Sequence, residues 1–363
     1  DAVTGRLYAT DLTSYSCMSV AASDDQGEHW LANPAGCSVT AGFIDHPSVV
    51  AARPRLLPTL FPTLLHVCFN ALTDARCTRS LDGGLTFGPT RPLVFLPSVA
   101  GATPDKACTH AITGRLQASP DGTVWLPVVD ACTRQPMVGV SRDDGLTWTA
   151  RTVPTDRLAD LEGRDAHEAA VAIDAGGRAS ILWISGGLPY VAASGDLGAT
   201  WTPARLVAPP EVTATDLPAI AAGAAGHVAV AYIGSTIPGG YAGRPITAPL
   251  ALVPNPQANP DDWRDATWNA YVGVLDAGGN ATTWTANDPA DPLARGACGR
   301  ILCAPDSGPL GMGDFIGLVL DGQGRPWASF VDACTQACAS TPGSGDDRNE
   351  GLVATIPWPR AAG

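Results

Sequence analysis

Ser23-Asp24-Asp25-Gln26-Gly27-Glu28-His29-Trp30 returns as Ser80-Leu81-Asp82-Gly83-Gly84-Leu85-Thr86-Phe87, as Ser141-Arg142-Asp143-Asp144-Gly145-Leu146-Thr147-Trp148 and as Ser194-Gly195-Asp196-Leu197-Gly198-Ala199-Thr200-Trp201. The shared pattern is S-x-D-x-G-x-[TH]-[WF]. A looser fifth version runs from Leu275 through Asp276, Gly278 and Gly279 to Trp284, with an insertion between the glycine turn and the tryptophan. The chemistry is that of a hairpin: Ser and Asp side chains bond to the turn backbone, Gly accepts a positive φ, and the aromatic ring packs beneath.

The octets start 57, 61 and 53 residues apart, so the 363 residues hold six units of about that length. Each unit has an apolar inner strand, a Gly turn and a second strand. Inner strands are expected at 47–52, 169–173, 218–222 and 315–320, as near-continuous apolar runs buried on both faces. Second strands follow at 65–69, 124–129, 179–183, 228–232 and 326–331. Val129-Asp130-Ala131-Cys132-Thr133 is echoed by Val331-Asp332-Ala333-Cys334-Thr335.

Composition narrows the class. Lys plus Arg number 22 against 35 Asp plus Glu, a net charge of −13, which argues against nucleic acid or an anionic membrane surface as partner. With 45% apolar and 16% charged residues the chain has material for a packed core. The 40 Gly and 32 Pro suit many short strands joined by turns. No uninterrupted apolar run long enough to span a bilayer occurs, so no membrane insertion is expected. The ten cysteines fall into neighbouring couples, 17–37, 68–77, 108–132, 298–303 and 334–338. Their even number points to disulfides and an oxidising, secreted location, extracellular or periplasmic. A zinc site is the alternative for the two closest couples, but neither has a nearby His or second Cys pair at ligand spacing.

On these residues the chain resembles the Asp-box (bacterial neuraminidase repeat) proteins of the sialidase superfamily. The resemblance implies an all-β fold, a six-bladed β-propeller whose blades are four-stranded antiparallel sheets. One domain over 1–363 is expected, with blades near 1–44, 45–101, 102–158, 159–212, 213–296 and 297–363. Rings of seven or eight blades fit the length less well. The first blade lacks an inner strand, since 5–9 reads as a second strand and 17–21 as a third, so strands from both termini are expected to close the ring. The fifth blade carries a long insertion, 236–268, a candidate lid holding Tyr241, Arg244, Trp263 and Trp268.

The resemblance further implies that the octets lie away from the ligand. The working face is then built from the starts of inner strands and the loops after second strands. Inner-strand starts offer Asp45, His46, His110, Arg164, Asp165, His167, Glu168, Asp216 and Asp314. Loops add Asp11, Asn70, Asp130, Arg134, Tyr190, Asp332, Arg348 and Glu350. An Asp before an apolar strand often only bonds neighbouring backbone, and Asp-x-Pro is ordinary turn chemistry, so structural roles compete for Asp45, Asp216, Asp314, His46 and His110. The stretch 164–168 differs, because it puts a guanidinium, two carboxylates and an imidazole within five residues of one another. Convergent carboxylates with separated ionisation suit the cleavage of glycosidic bonds.

Asp165, His167, Glu168 and Asp314 are therefore the candidate catalytic residues. Arg164, Asp45, His46, His110, Asp130, Arg134, Tyr190, Asp216, Trp263, Trp268 and Asp332 are candidates for binding, the two tryptophans by stacking on sugar rings. No cofactor is required, although the histidines offer a divalent cation an alternative site. A sialidase would need three arginines around the sugar carboxylate, a Tyr nucleophile assisted by a Glu, and an Asp acid/base. That triad is not recognisable: Arg53-Pro54-Arg55 follows the strand beginning at Asp45, so Arg55 belongs at its far end. The expected partner is a carbohydrate or glycoconjugate, the expected state a monomer, and the expected chemistry that of a hydrolase or lyase. A non-catalytic propeller binding glycan, protein or metal is the other reading.

Overall fold

A computed structural model describes residues 1–14, 16–37, 44–71, 75–93, 112–130, 133–160, 168–236, 266–295, 315–335 and 349–356. These residues contain no helix and form six antiparallel sheets. In chain order, the first is β1 (Leu7–Ser14), β2 (Cys17–Ser23) and β3 (Leu31–Cys37). The second is β4 (Ile44–Ala52), β5 (Leu64–Ala71), β6 (Ala75–Ser80) and β7 (Arg91–Pro92). The third has β8 (Ile112–Thr113), β9 (Gln117–Ala118), β10 (Val124–Val129), β11 (Pro136–Ser141) and β12 (Thr149–Thr152). The fourth has β13 (Ala170–Ile173), β14 (Ala179–Ser185), β15 (Leu188–Ser194) and β16 (Arg205–Leu206). The fifth has β17 (Ala214–Ala222), β18 (Val228–Ser235), β19 (Thr267–Leu275), β20 (Ala281–Thr285) and β21 (Ala294–Arg295). The sixth is β22 (Gly317–Leu320), β23 (Pro326–Asp332) and β24 (Glu350–Thr355). The first sheet starts with β1 beside β2, so among the described residues it has no strand in the inner position.

The chain divides into two compact units, one of Asp1–Thr155, Glu168–Ala179 and Ser194–Trp201, the other of Asp156–His167, Ser180–Ala193 and Thr202–Gly363. In the first, Met18, Val20, Ile44, Val67 and Phe69 form a core between the first and second sheets, and Cys68, Leu116, Leu126 and Val128 one between the second and third. In the second, Ala231, Trp268, Val272, Ile316 and Phe330 pack the fifth sheet on the sixth.

Burial corrects one expectation. Burial is deepest in second strands, not inner ones: β10 and β18 are buried at every position and β5 and β14 at all but their ends, although β23 alternates between buried and exposed, whereas β4 and β22 are mostly half-exposed. A second strand has a neighbour on each side and packing on both faces, while an inner strand is a sheet edge. Pro127, in the enclosed β10, has no N–H to donate. The inner strand breaks opposite it, into β8 pairing with 128–129 and β9 pairing with 124–125.

The four octets adopt one geometry, all within the first unit. The Ser hydroxyl donates to the Asp Oδ1 (2.8, 2.6, 2.9 and 2.8 Å) and accepts from the Gly N–H (2.9, 2.8, 2.9 and 2.8 Å). The residue four past the Asp, His29 or a Thr, gives its backbone N–H to Oδ1 at 2.9 Å each time. Two consecutive residues take a positive φ, such as Asp144 at 58° and Gly145 at 74°, and a Cβ on Gly145 would meet the His66 ring at 3.1 Å. The hydroxyl of Thr200 and the backbone bonds hold Asp196 at about 2, so its carboxylate is committed to the turn. The Asp276 turn keeps only part of this. Its carboxylate takes the N–H groups of Gly278 and Asn280, without a Ser, and Trp284 has moved onto β20.

Disulfides join Cys17 to Cys37 and Cys68 to Cys77, each pair directly opposed on adjacent strands. Cys334 is also disulfide-bonded. The other expected pairings involve residues outside those described. Closing loops of 20 and 9 residues stabilises by about 3 kcal/mol each. Calorimetry in strong reductant is therefore expected to show a melting temperature lower by roughly 5–10 °C. An unchanged melting curve would contradict the pairing.

A second expectation concerns His66 on β5. Burial holds its pKa down to about 4, outweighing the Asp144 carboxylate, with the Arg79 guanidinium acting in the same direction as burial. The unfolded chain binds this proton from pH 6.5 downward and the folded chain only near 4, so stability falls as pH falls through that window. The loss is on the order of 3 kcal/mol. Urea unfolding at pH 6.5 and pH 4 should show this loss in the parent and a smaller one in His66→Gln.

Candidate functional site

Antiparallel pairing gives each sheet two ends. The octets close the turns from third to fourth strands. The starts of the first strands and the ends of the second lie at the other end, as the register of Asp45 with Asn70 shows. Arg55 lies at the octet end, where Nη1 bonds Asp121 Oδ2 at 2.7 Å.

At the far end of the second sheet, β4 carries a bulge between Asp45 and Ser48. His46 sits in it with φ 51°, its N–H donating to Asp45 Oδ1 at 2.8 Å. The bulge turns the imidazole between two carboxylates: Nε2 is 3.6 Å from Asp45 Oδ2 and Nδ1 3.9 Å from Glu168 Oε2. Glu168 is 18% exposed, enough to reach solvent while shielded from most of it. Next to them the Asn70 side-chain oxygen accepts from the Thr113 hydroxyl (2.7 Å) and N–H (3.1 Å), fixing the end of β5. Asp130 and Arg134 bound the loop from β10 to β11, where the Arg134 N–H donates to the Asp130 carbonyl at 2.7 Å and Arg134 takes φ 58°.

In the second unit, Asp332 ends β23, in register with Glu350 at the start of β24. Burial pushes its carboxyl above the usual range, the Cys334 N–H pulls it back, and the charges of Asp291 and Glu350 push it further up. Among the described residues it is the carboxyl displaced in this direction, the displacement that suits a proton donor. Asp291 had no signal in the sequence beyond a turn-like Asp288-Pro289-Ala290-Asp291, and its proximity to Asp332 is a product of the fold.

Other candidates are placed differently. Trp268 is wholly buried on β19, in the core between the fifth and sixth sheets, so it cannot stack on a sugar. Asp216 is 1% exposed, and its Oδ1 accepts the N–H of Leu217 within a bulge of β17. The Tyr190 ring stacks on Trp183 at 6.3 Å with the Arg157 guanidinium 5.4 Å from it, a local layer of the fourth sheet. His110, Arg164, Asp165, His167, Trp263 and Asp314 lie outside the described residues, as do positions 237–265 of the candidate lid. Among the described residues no group of three or more His, Cys, Asp or Glu is placed to hold a metal, and there is no helix long and apolar enough to cross a membrane.

No family model and no curated protein matches the chain. Solved structures do match. One is a protein of unknown function from Dyadobacter fermentans, with TM-score 0.53 at 13% identity, covering 97% of this chain and 92% of that one. Another is a mutant of the NanB sialidase from Streptococcus pneumoniae, with TM-score 0.51 at 11% identity, covering 97% of this chain and 66% of that one. This chain thus spans about two thirds of the sialidase it matches. At such identities the likeness concerns the fold: the chain has a sialidase-like, all-β propeller fold.

Proposed function

We propose that the protein is a secreted, six-bladed Asp-box propeller that acts on carbohydrate at the sheet ends opposite its octets, by hydrolase or lyase chemistry. The observation that carries this reading is the gathering of Asp45, His46 and Glu168 around the β4 bulge. The octet carboxylates, by contrast, are consumed by their own turns. In this reading Glu168 is the base, removing a proton from water in hydrolysis or from a ring carbon in elimination. Asp165, His167 and Asp314 remain the further catalytic residues of the proposal, and Arg164, Asp130, Arg134 and Trp263 its binding groups. The sialidase arginine clamp is not part of it, since Arg55 is held at the octet end.

The test is mass-spectrometric analysis after incubating the protein with a broad mixture of glycans and polysaccharides, beside Asp165→Asn. New oligosaccharide masses that vanish in the variant support the reading, and products lighter by one water identify a lyase. No products from the parent would leave a binding propeller.

A further inference from the structure

The β4 bulge has a twin. On β17, Asp216-Leu217-Pro218 shows the same register break, between Asp216 and Ala219, with Leu217 at φ 52° and its N–H on Asp216 Oδ1 at 2.8 Å. His46 at φ 51° repeats this with its own Asp at 2.8 Å. A left-handed conformation is strained for both residues, so two sheets carry one backbone device. In the fifth sheet the central residue is a leucine, 3% exposed and packed into the core. The bulge therefore needs nothing that an imidazole supplies. In the second sheet the same backbone points a 29% exposed histidine at Glu168 on one side and Asp45 on the other.

Resting on the function proposed above, we infer that His46 is a positioning residue whose two ring nitrogens hold Asp45 and Glu168 in one arrangement at the site. The bulge fixes the direction of the ring, and the ring fixes the Glu168 carboxylate. The two ring nitrogens face the two carboxylates, Nε2 towards Asp45 and Nδ1 towards Glu168. No bond to substrate is assigned to His46.

The experiment uses the full chain with His46→Leu, which copies the twin bulge, and His46→Gly, which removes the strain and opens space for a small molecule. Each is assayed for initial product formation on the glycan mixture, with and without added imidazole, beside its melting temperature. The expected result is a melting temperature within a few degrees of the parent for both, and a rate lower by about a hundredfold. Imidazole should partly restore the rate in His46→Gly and leave His46→Leu, whose space is filled, unchanged. An undiminished rate in His46→Leu overturns the inference, as does a failure of imidazole to act on His46→Gly, or a collapse of melting temperature in both variants, which would mark a purely structural residue. A parent that forms no product overturns the carbohydrate-acting reading itself, an outcome distinct from an active parent with active variants.

Discussion

Replacing Glu168 by Gln is expected to cut product formation from glycan by about 10²–10⁴-fold, the usual loss when a general base is removed. Gln keeps the size of the side chain and one oxygen while deleting the charge that faces the His46 ring. Glu168 is not one of the carboxylates that hold an octet turn, so its melting temperature should stay close to that of the parent. A rate loss accompanied by unfolding would point to structure, and an unchanged rate would remove Glu168 from the chemistry. Initial rates by product mass and a melting curve on the same sample separate these outcomes.

The second large effect is expected at the octet end. Asp144 is 1% exposed, and its carboxylate accepts the N–H groups of Arg55, Leu56 and Leu57 at 2.8, 2.7 and 2.7 Å. Its carbonyl takes the Arg79 guanidinium at 2.7 Å. This one side chain fastens the connection between β4 and β5 onto the third octet. Asp144→Ala leaves three donors without their acceptor and places a Cβ residue with no compensating bond at φ 58°. The cost is about 3–5 kcal/mol. Asn tolerates the left-handed region and keeps one acceptor oxygen, so Asp144→Asn should lose less. Denaturant unfolding gives the magnitude, and limited proteolysis should show new cleavage within 53–63 in the Ala variant. Equal stability of the Ala variant and the parent would show that the three bonds contribute little.

What the sequence disclosed follows the range of the interactions involved. The octets were legible because every bond that shapes them, from Ser23 to Asp25 or Asp25 to His29, closes within a few residues. The first sheet, without an inner strand among the described residues, was legible in outline: the strands expected at 5–9 and 17–21 fall on β1 and β2, although β1 runs on to Ser14. Asp144 read only as the variable position of an octet, because its partners stand 87–89 residues away. Asp-x-Pro read as a turn, whereas Asp45-His46-Pro47 and Asp216-Leu217-Pro218 are bulges. Their form is set by pairing with β5 and β18, across a register that no local pattern encodes. Trp268 belonged by sequence to an insertion and by structure to a core strand. The approach of His46 to Glu168 links residues 122 apart in the chain; the sequence named both and had no means to join them.

The proposed chemistry lies at one end of the sheets and the octet scaffold at the other, and a paired rate measurement tests this most directly. Product formation from the glycan mixture is compared for the parent, for Glu168→Gln, and for Leu85→Ser, an exposed octet residue outside the proposed site. The predicted result is equal products from the parent and Leu85→Ser and almost none from Glu168→Gln. Products undiminished in Glu168→Gln, or lost in Leu85→Ser at an unchanged melting temperature, would contradict it.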